Sequence, residues 1–156
     1  MARAPRTGTG DLPAQFDFLR DLDIHQELAR VVGHRLDRAS YGDTMLAAII
    51  GLRDYVRQLS GLSRDGRGLM ERAFEQTGAH LCLNSLTDSN AKGSQQNEQR
   101  GFKEIYCGIM TGLRNPLTHE GSDSIFSQTR YPDKRTLLKY LSFLSILFER
   151  ADGPLR

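Results

Sequence analysis

Four stretches of this chain place apolar residues at intervals of three and four, and this periodicity limits it to helices packed on helices. The clearest is Met45, Ile49, Leu52, Val56 and Leu59, which step by four, three, four and three. That is the narrow seam of a helix packed in a bundle, and it predicts a helix over about 43–60. A first helix is expected from Phe16 or Asp21 to Arg38, with Ile24, Leu28, Val31 or Val32, and Leu36 on one face. A third long helix is expected from near Gln95 to Leu113, with a broad apolar face of Phe102, Ile105, Tyr106, Ile109, Met110 and Leu113. The last, over 133–150, enters through Pro132 and Asp133 and lines up Leu137, Leu141, Leu144 and Phe148. With a short helix over Gly68–Gln76, the expectation is an all-α bundle of four to five helices.

The connections carry turn chemistry. Ser40 to Asp43 offer N-cap candidates, and Gly61 to Gly68 form a glycine-rich turn. The leucines of Leu81-Cys82-Leu83-Asn84-Ser85-Leu86 alternate as in a strand. With no partner strand in view, the segment reads instead as an apolar loop tucked onto the core. Residues 87–98 and 121–131 read as loops. Residues 1–14, rich in Arg, Pro, Gly and Thr, are expected to be a mobile tail. The remainder, 15–152, is expected to be one domain, since a chain of 156 residues is long enough to bury one core.

Composition excludes more than it assigns. The net charge is +2, which permits a nucleic-acid partner without demanding one. Of the 21 basic residues, 17 are arginine. That bias suits phosphate recognition, although a GC-rich genome is the better explanation for it. Cys82 and Cys107 lie far apart and outside any CxxC pair, so neither a disulfide framework nor a zinc site is indicated. Both are expected to be inert core thiols. No apolar run reaches the ~18 residues of a membrane span. Met1 to Gly10 lack the apolar centre of a signal peptide, so the expected location is cytoplasmic.

The stretch that carries chemistry is Arg114-Asn115-Pro116-Leu117-Thr118-His119. Arginine is a permanent cation with a planar fork that grips phosphate, and histidine moves protons near neutral pH. On an unbroken helix the two lie about 140° apart around the axis. Pro116 disfavours helical geometry at Asn115 and suits the first position of a new turn, with Asn115 as its N-cap. Arg114 would then end one helical segment, with His119 on a second segment or on a kinked continuation, and either geometry could turn the two side chains toward a common space. RNA brings its own nucleophile, the 2′-hydroxyl. His119 could take its proton or protonate the leaving group, Arg114 could stabilise the phosphate charge, and Asn115 could orient either partner. No metal or other cofactor is required. His119-Glu120 does not open a HExxH motif, because position 123 is Asp.

Plainer explanations stand beside these. Arg114 could be a surface cation at a helix C-terminus, His119 a loop histidine and Asn115 only a cap. Arg20 and His25 share the same spacing by chance, and His25 reads as a structural residue at a helix start. Asp65-Gly66 reads as a turn. The tyrosines at 41, 55, 106, 131 and 140 form no stacking platform in sequence.

A four-helix chain with Arg-Asn-x-x-x-His after its third long helix resembles a HEPN domain, in which an arginine and a polar residue precede a histidine. Within that superfamily it resembles bacterial proteins of the Ymh type. The features that carry this are Arg64-Asp65-Gly66, Gly68-Leu69-Met70, Ala73-Phe74, Leu81 to Leu86, Gly101-Phe102 through Gly108, and Arg114-Asn115-Pro116 to His119-Glu120. Ile24-His25 and Tyr41 fit more loosely, and the similarity covers about residues 22–150. It implies a HEPN-like bundle and a metal-independent endoribonuclease with an RNA substrate, leaving a 2′,3′-cyclic phosphate. It also implies a homodimer with a composite active site and a setting in anti-phage or toxin–antitoxin defence, with an antitoxin or defence protein as a partner. Arg114 and His119 would be catalytic and Asn115 supporting. One subgroup, paired with nucleotidyltransferase antitoxins, has a tyrosine two residues after the histidine; Gly121 stands there, which argues against that pairing. Some HEPN domains are non-catalytic, so the alternative is an interaction module of the same fold that binds a partner protein or nucleic acid.

Overall fold

The computed structural model describes residues 23–33, 35, 40–84, 93–121 and 124–153. The expected tail, the expected start of the first helix and half of the expected 87–98 loop lie outside them, and residues 94–98 of that loop belong instead to the helix that begins at Ser94. Among the described residues all regular structure is helical, in seven α-helices and one π-helical segment. They are α1 (Gln26–Gly33), α2 (Tyr41–Ser60), α3 (Gly66–Ala73), α4 (Ser94–Gly108), the π segment Ile109–Arg114, α5 (Asn115–Glu120), α6 (Ile125–Arg130) and α7 (Lys134–Ala151).

α2 is the axis of the bundle. It packs against α1, α3, α7, the π segment, α5 and α6. Its start is fixed by Ser40, whose hydroxyl accepts from the Asp43 N–H at 3.1 Å. Its end is fixed by Gly61, whose φ of 68° supplies the left-handed cap and whose N–H donates to Arg57 O. Met45, Ile49, Leu52 and Val56 are fully buried, as their spacing requires, while Leu59 opens to solvent at the last turn. α7 behaves likewise: Leu137, Leu141, Leu144 and Phe148 are all fully buried, and Asp133 caps its N-terminus by accepting from the Thr136 N–H at 2.7 Å.

α4, continued by the π segment, keeps most of the expected face, with Tyr106, Ile109 and Met110 buried and Phe102 and Leu113 packed against the core, and departs from it at Ile105. Its inward side is centred on Gln99, Tyr106 and Cys107, continued by Met110 in the π segment. Ile105 stands about 140° from that centre and is exposed. Tyr106 enters the core because its hydroxyl can donate to Leu147 O, at 2.5 Å. Gln99 is buried for a different reason. Its carboxamide oxygen accepts from Leu83 N–H at 2.9 Å, and its NH₂ donates to Leu81 O at 2.9 Å and Phe74 O at 3.3 Å. Those bonds hold the apolar loop on the core, with Leu83 fully enclosed. Cys107 is buried, and burial pushes its thiol pKa up. Cys82 is exposed on the same loop and is not the core thiol expected of it.

Two further expectations change. The stretch expected to be a loop over 121–131 contains α6, capped by Ser124 accepting from Ser127 N–H. The chain also does not break at Pro116. Asn115 has helical φ and ψ of −60° and −47° and is not an extended N-cap. The helix accommodates the proline by widening in the turn before it, where Asn115 N–H reaches back to Met110 O. A wide turn of this kind removes the i to i−4 crowding that a proline ring otherwise creates.

Candidate functional site

Arg114 closes the π segment, which packs against both α2 and α3. Its side chain therefore points to the junction where α3 begins. There its Nη2 donates to Asp65 Oδ2 at 3.3 Å. Two arginines of α2 meet the other oxygen of the same carboxylate: Arg57 Nη2 at 3.1 Å and Arg53 Nε at 3.5 Å from Oδ1. Asp54 holds these two in turn, with Oδ1 2.8 Å from Arg53 Nη2 and 3.1 Å from Arg57 Nη1. Arg57 Nε also donates to Arg64 O at 3.1 Å. Gly66 follows Asp65 with a φ of 54°, which lets the backbone turn into α3 beside Arg114.

Partial burial works to raise the Asp65 pKa. The Gly66 N–H and the charges of Arg114, Arg53 and Arg57 outweigh it and hold the carboxyl below its ordinary value of 3.8. Asp65 is thus an anion at neutral pH. The guanidiniums of Arg53 and Arg114 are the more enclosed members, at 17% and 22% exposure. Arg114 Nε is shielded from solvent and has no hydrogen-bond partner.

His119 lies one and a half turns further on, on α5, which Leu117 anchors by burying its side chain fully. His119 is exposed and engages no partner among the described residues. Because the helix continues through Pro116, Arg114 and His119 keep their separation of about 140° around the axis. Arg114 turns toward Asp65 and His119 toward solvent, so one chain does not bring the two side chains together. Asn115 is half-buried between them and makes no side-chain hydrogen bond among the described residues.

Arg53, Arg57 and Asp65 did not stand out in the sequence as site residues. The available signal was modest: two arginines four apart on α2, and an Asp-Gly step inside a block resembling a known family. The chance pair Arg20 and His25 resolves differently. Arg20 lies outside the described residues, and His25 is a structural residue as expected. Its Nδ1 accepts from Glu27 N–H at 3.2 Å, so its proton sits on Nε2 and is donated to Asp152 Oδ2 at 3.1 Å. Tyr55 donates to the same carboxylate, and the His25 ring stacks on Phe148. This latches the start of α1 to the end of α7.

Among the described residues no group of three or more His, Cys, Asp or Glu is placed to hold a metal ion. No helix among them is long and apolar enough to cross a membrane. No curated protein and no solved structure matches the chain. Residues 22–150 match the model of the Hypoth_Ymh family, a protein family of unknown function, and the chain belongs to that family.

Proposed function

We propose that the protein is a homodimeric, HEPN-type endoribonuclease that cleaves RNA without a metal and works in the cytoplasm as an effector of anti-phage or toxin–antitoxin defence. The observation that carries this reading is the contrast between Arg114, held among other arginines, and His119, exposed and uncommitted on the same helix. The first can bind a phosphate and the second can exchange protons with it. In the reaction, His119 takes the proton of the 2′-hydroxyl, whose oxygen attacks the adjacent phosphorus. The bond from phosphorus to the 5′-oxygen breaks, and His119 returns the proton it took to that oxygen. The products are a 2′,3′-cyclic phosphate and a 5′-hydroxyl. Arg114 stabilises the charge on the phosphate oxygens, and Asn115 supports the pair.

The test is RNA cleavage by the purified protein in EDTA, comparing wild type with Arg114→Ala and His119→Ala. Cleavage lost in both variants supports the reading. Cleavage that survives His119→Ala, or that requires a divalent cation, overturns it. A second reading, an interaction module of the same fold, draws on Phe143 and Ile146, which lie exposed three residues apart on α7. It predicts no cleavage by any variant, and loss of a co-purifying partner on Phe143→Ser.

A further inference from the structure

We propose that Arg53 and Arg57 complete, with Arg114, a seat for one phosphodiester of an RNA strand, and that Asp65 occupies this seat as an internal counter-ion until RNA displaces it. This rests on the reading of RNA as the ligand and adds residues that the Arg-to-His motif does not contain. Elsewhere among the described residues arginines pair with carboxylates one to one: Arg30 with Glu27, Arg67 with Glu71, Arg72 with Glu75 and Arg150 with Glu98. Among the described residues, three guanidiniums converge on the one carboxylate of Asp65, two on Oδ1 and one on Oδ2. The pair of oxygens they grip matches the two non-bridging oxygens of a phosphodiester, which guanidinium forks bind in the same way.

Arg53 and Arg57 are held independently of Asp65. Asp54 bridges Arg53 and Arg57, and the Arg64 carbonyl fixes Arg57 Nε. They would therefore keep their places if Asp65 swung away. With Asp54 counted, three positive charges face two negative ones, so the cluster is cationic before any ligand arrives. Asp65 is half exposed, so it can leave the seat without moving through the core. Arg114 uses one of the five N–H donors of its guanidinium, and its shielded Nε–H has no partner. An anion with more oxygens than a carboxylate would employ more of these donors.

The experiment measures binding without cleavage. A fluorescein-labelled single-stranded RNA carrying 2′-O-methyl groups throughout is titrated with the protein in EDTA at several salt concentrations. Arg53→Gln and Arg57→Gln should each weaken binding roughly threefold or more and flatten the log Kd against log salt slope by about 0.7, the loss of one phosphate contact. Asp65→Asn should tighten binding by a similar factor, since it removes the competing anion. Arg30→Gln, which removes a paired surface charge on α1, controls for net charge and should change neither. Asp65→Asn that binds no better than wild type, or α2 variants indistinguishable from Arg30→Gln, would overturn the proposal. If Asp65→Asn fails to fold by circular dichroism, the comparison of Arg57→Gln with Arg30→Gln decides alone. Because this RNA cannot be cut, the expected binding pattern with no cleavage of ordinary RNA would sink the ribonuclease and leave the seat standing. Cleavage dependent on Arg114 and His119, with unaltered binding by the α2 variants, would do the reverse.

Discussion

Arg114 Nη2 lies 3.3 Å from Asp65 Oδ2, a contact that spans 49 positions of sequence. It ties the end of the π segment to the start of α3 and fixes where the guanidinium points. Asp65 is held as an anion by the Gly66 N–H and three arginines, so its depressed pKa makes folding pH-dependent. A carboxyl with a lower pKa in the folded state stabilises the protein above its unfolded value of 3.8. That contribution is lost as pH falls through the folded value. Asp65 is half exposed and screened by water, so the gain at neutral pH is about 1 kcal/mol or less. Urea unfolding of wild type and Asp65→Asn should therefore differ at pH 7 and converge in acid. A difference that persists unchanged at low pH would show that the side chain acts through packing.

The loop over Leu81 to Leu83 depends on one amide. Gln99 is buried and satisfies Leu83 N–H, Leu81 O and Phe74 O. Gln99→Leu keeps the volume approximately but leaves those backbone groups without partners, at a cost of about 1–3 kcal/mol. Thermal melting should show the loss. Hydrogen exchange should place it at the Leu83 amide first, because that amide has Gln99 as its acceptor.

These two sites show how far the sequence could be read. The seams of α2 and α7 were legible because Met45 to Val56 and Leu137 to Phe148 repeat at the period of a helix that buries one face. The pair Arg114 and His119 was legible as chemistry. The turn that carries them was not: Pro116 signals a break, and nothing local reveals that a π turn over Ile109–Arg114 absorbs it. α6 has only six residues, too few for a period to show. Asp65 meets Arg53 and Arg57 across a tertiary junction, and no spacing rule reports a contact whose partners are brought together by packing. Gln99 was hidden for the same reason, being a polar residue buried to serve another segment's backbone.

Close approach of α1 and α2 rests on Gly51. A Cβ built there would lie 2.9 Å from Val31 Cγ2. Replacing glycine by alanine within a helix normally gains about 1 kcal/mol, whereas overpacking a fixed contact costs about 1–3 kcal/mol. Val31 is β-branched and has little rotamer freedom on α1, so the clash should win and Gly51→Ala should be destabilising. In Val31→Ala the same substitution should become neutral or stabilising. A double-mutant cycle by urea unfolding measures this reversal of sign, and additive effects would show that the helices part without cost.

The unbroken helix through Pro116 makes a demand on any reaction that uses both ends of the motif. Arg114 faces Asp65 and His119 faces solvent, about 140° apart around one axis. A single copy therefore cannot focus both on one phosphate, whereas a two-fold pair could place the arginine of one copy opposite the histidine of the other. Mixing inactive Arg114→Ala with inactive His119→Ala after mild dissociation should then restore cleavage. Random reassortment makes half of the dimers mixed, and each mixed dimer keeps one arginine and one histidine able to meet across the interface. Recovery should approach about a quarter of the wild-type rate if each dimer holds two such pairings. Size-exclusion chromatography of differently tagged variants confirms that exchange occurred. Full exchange with no recovered cleavage would mean that the arginine and histidine of the same chain act together, which this helix geometry does not allow without rearrangement.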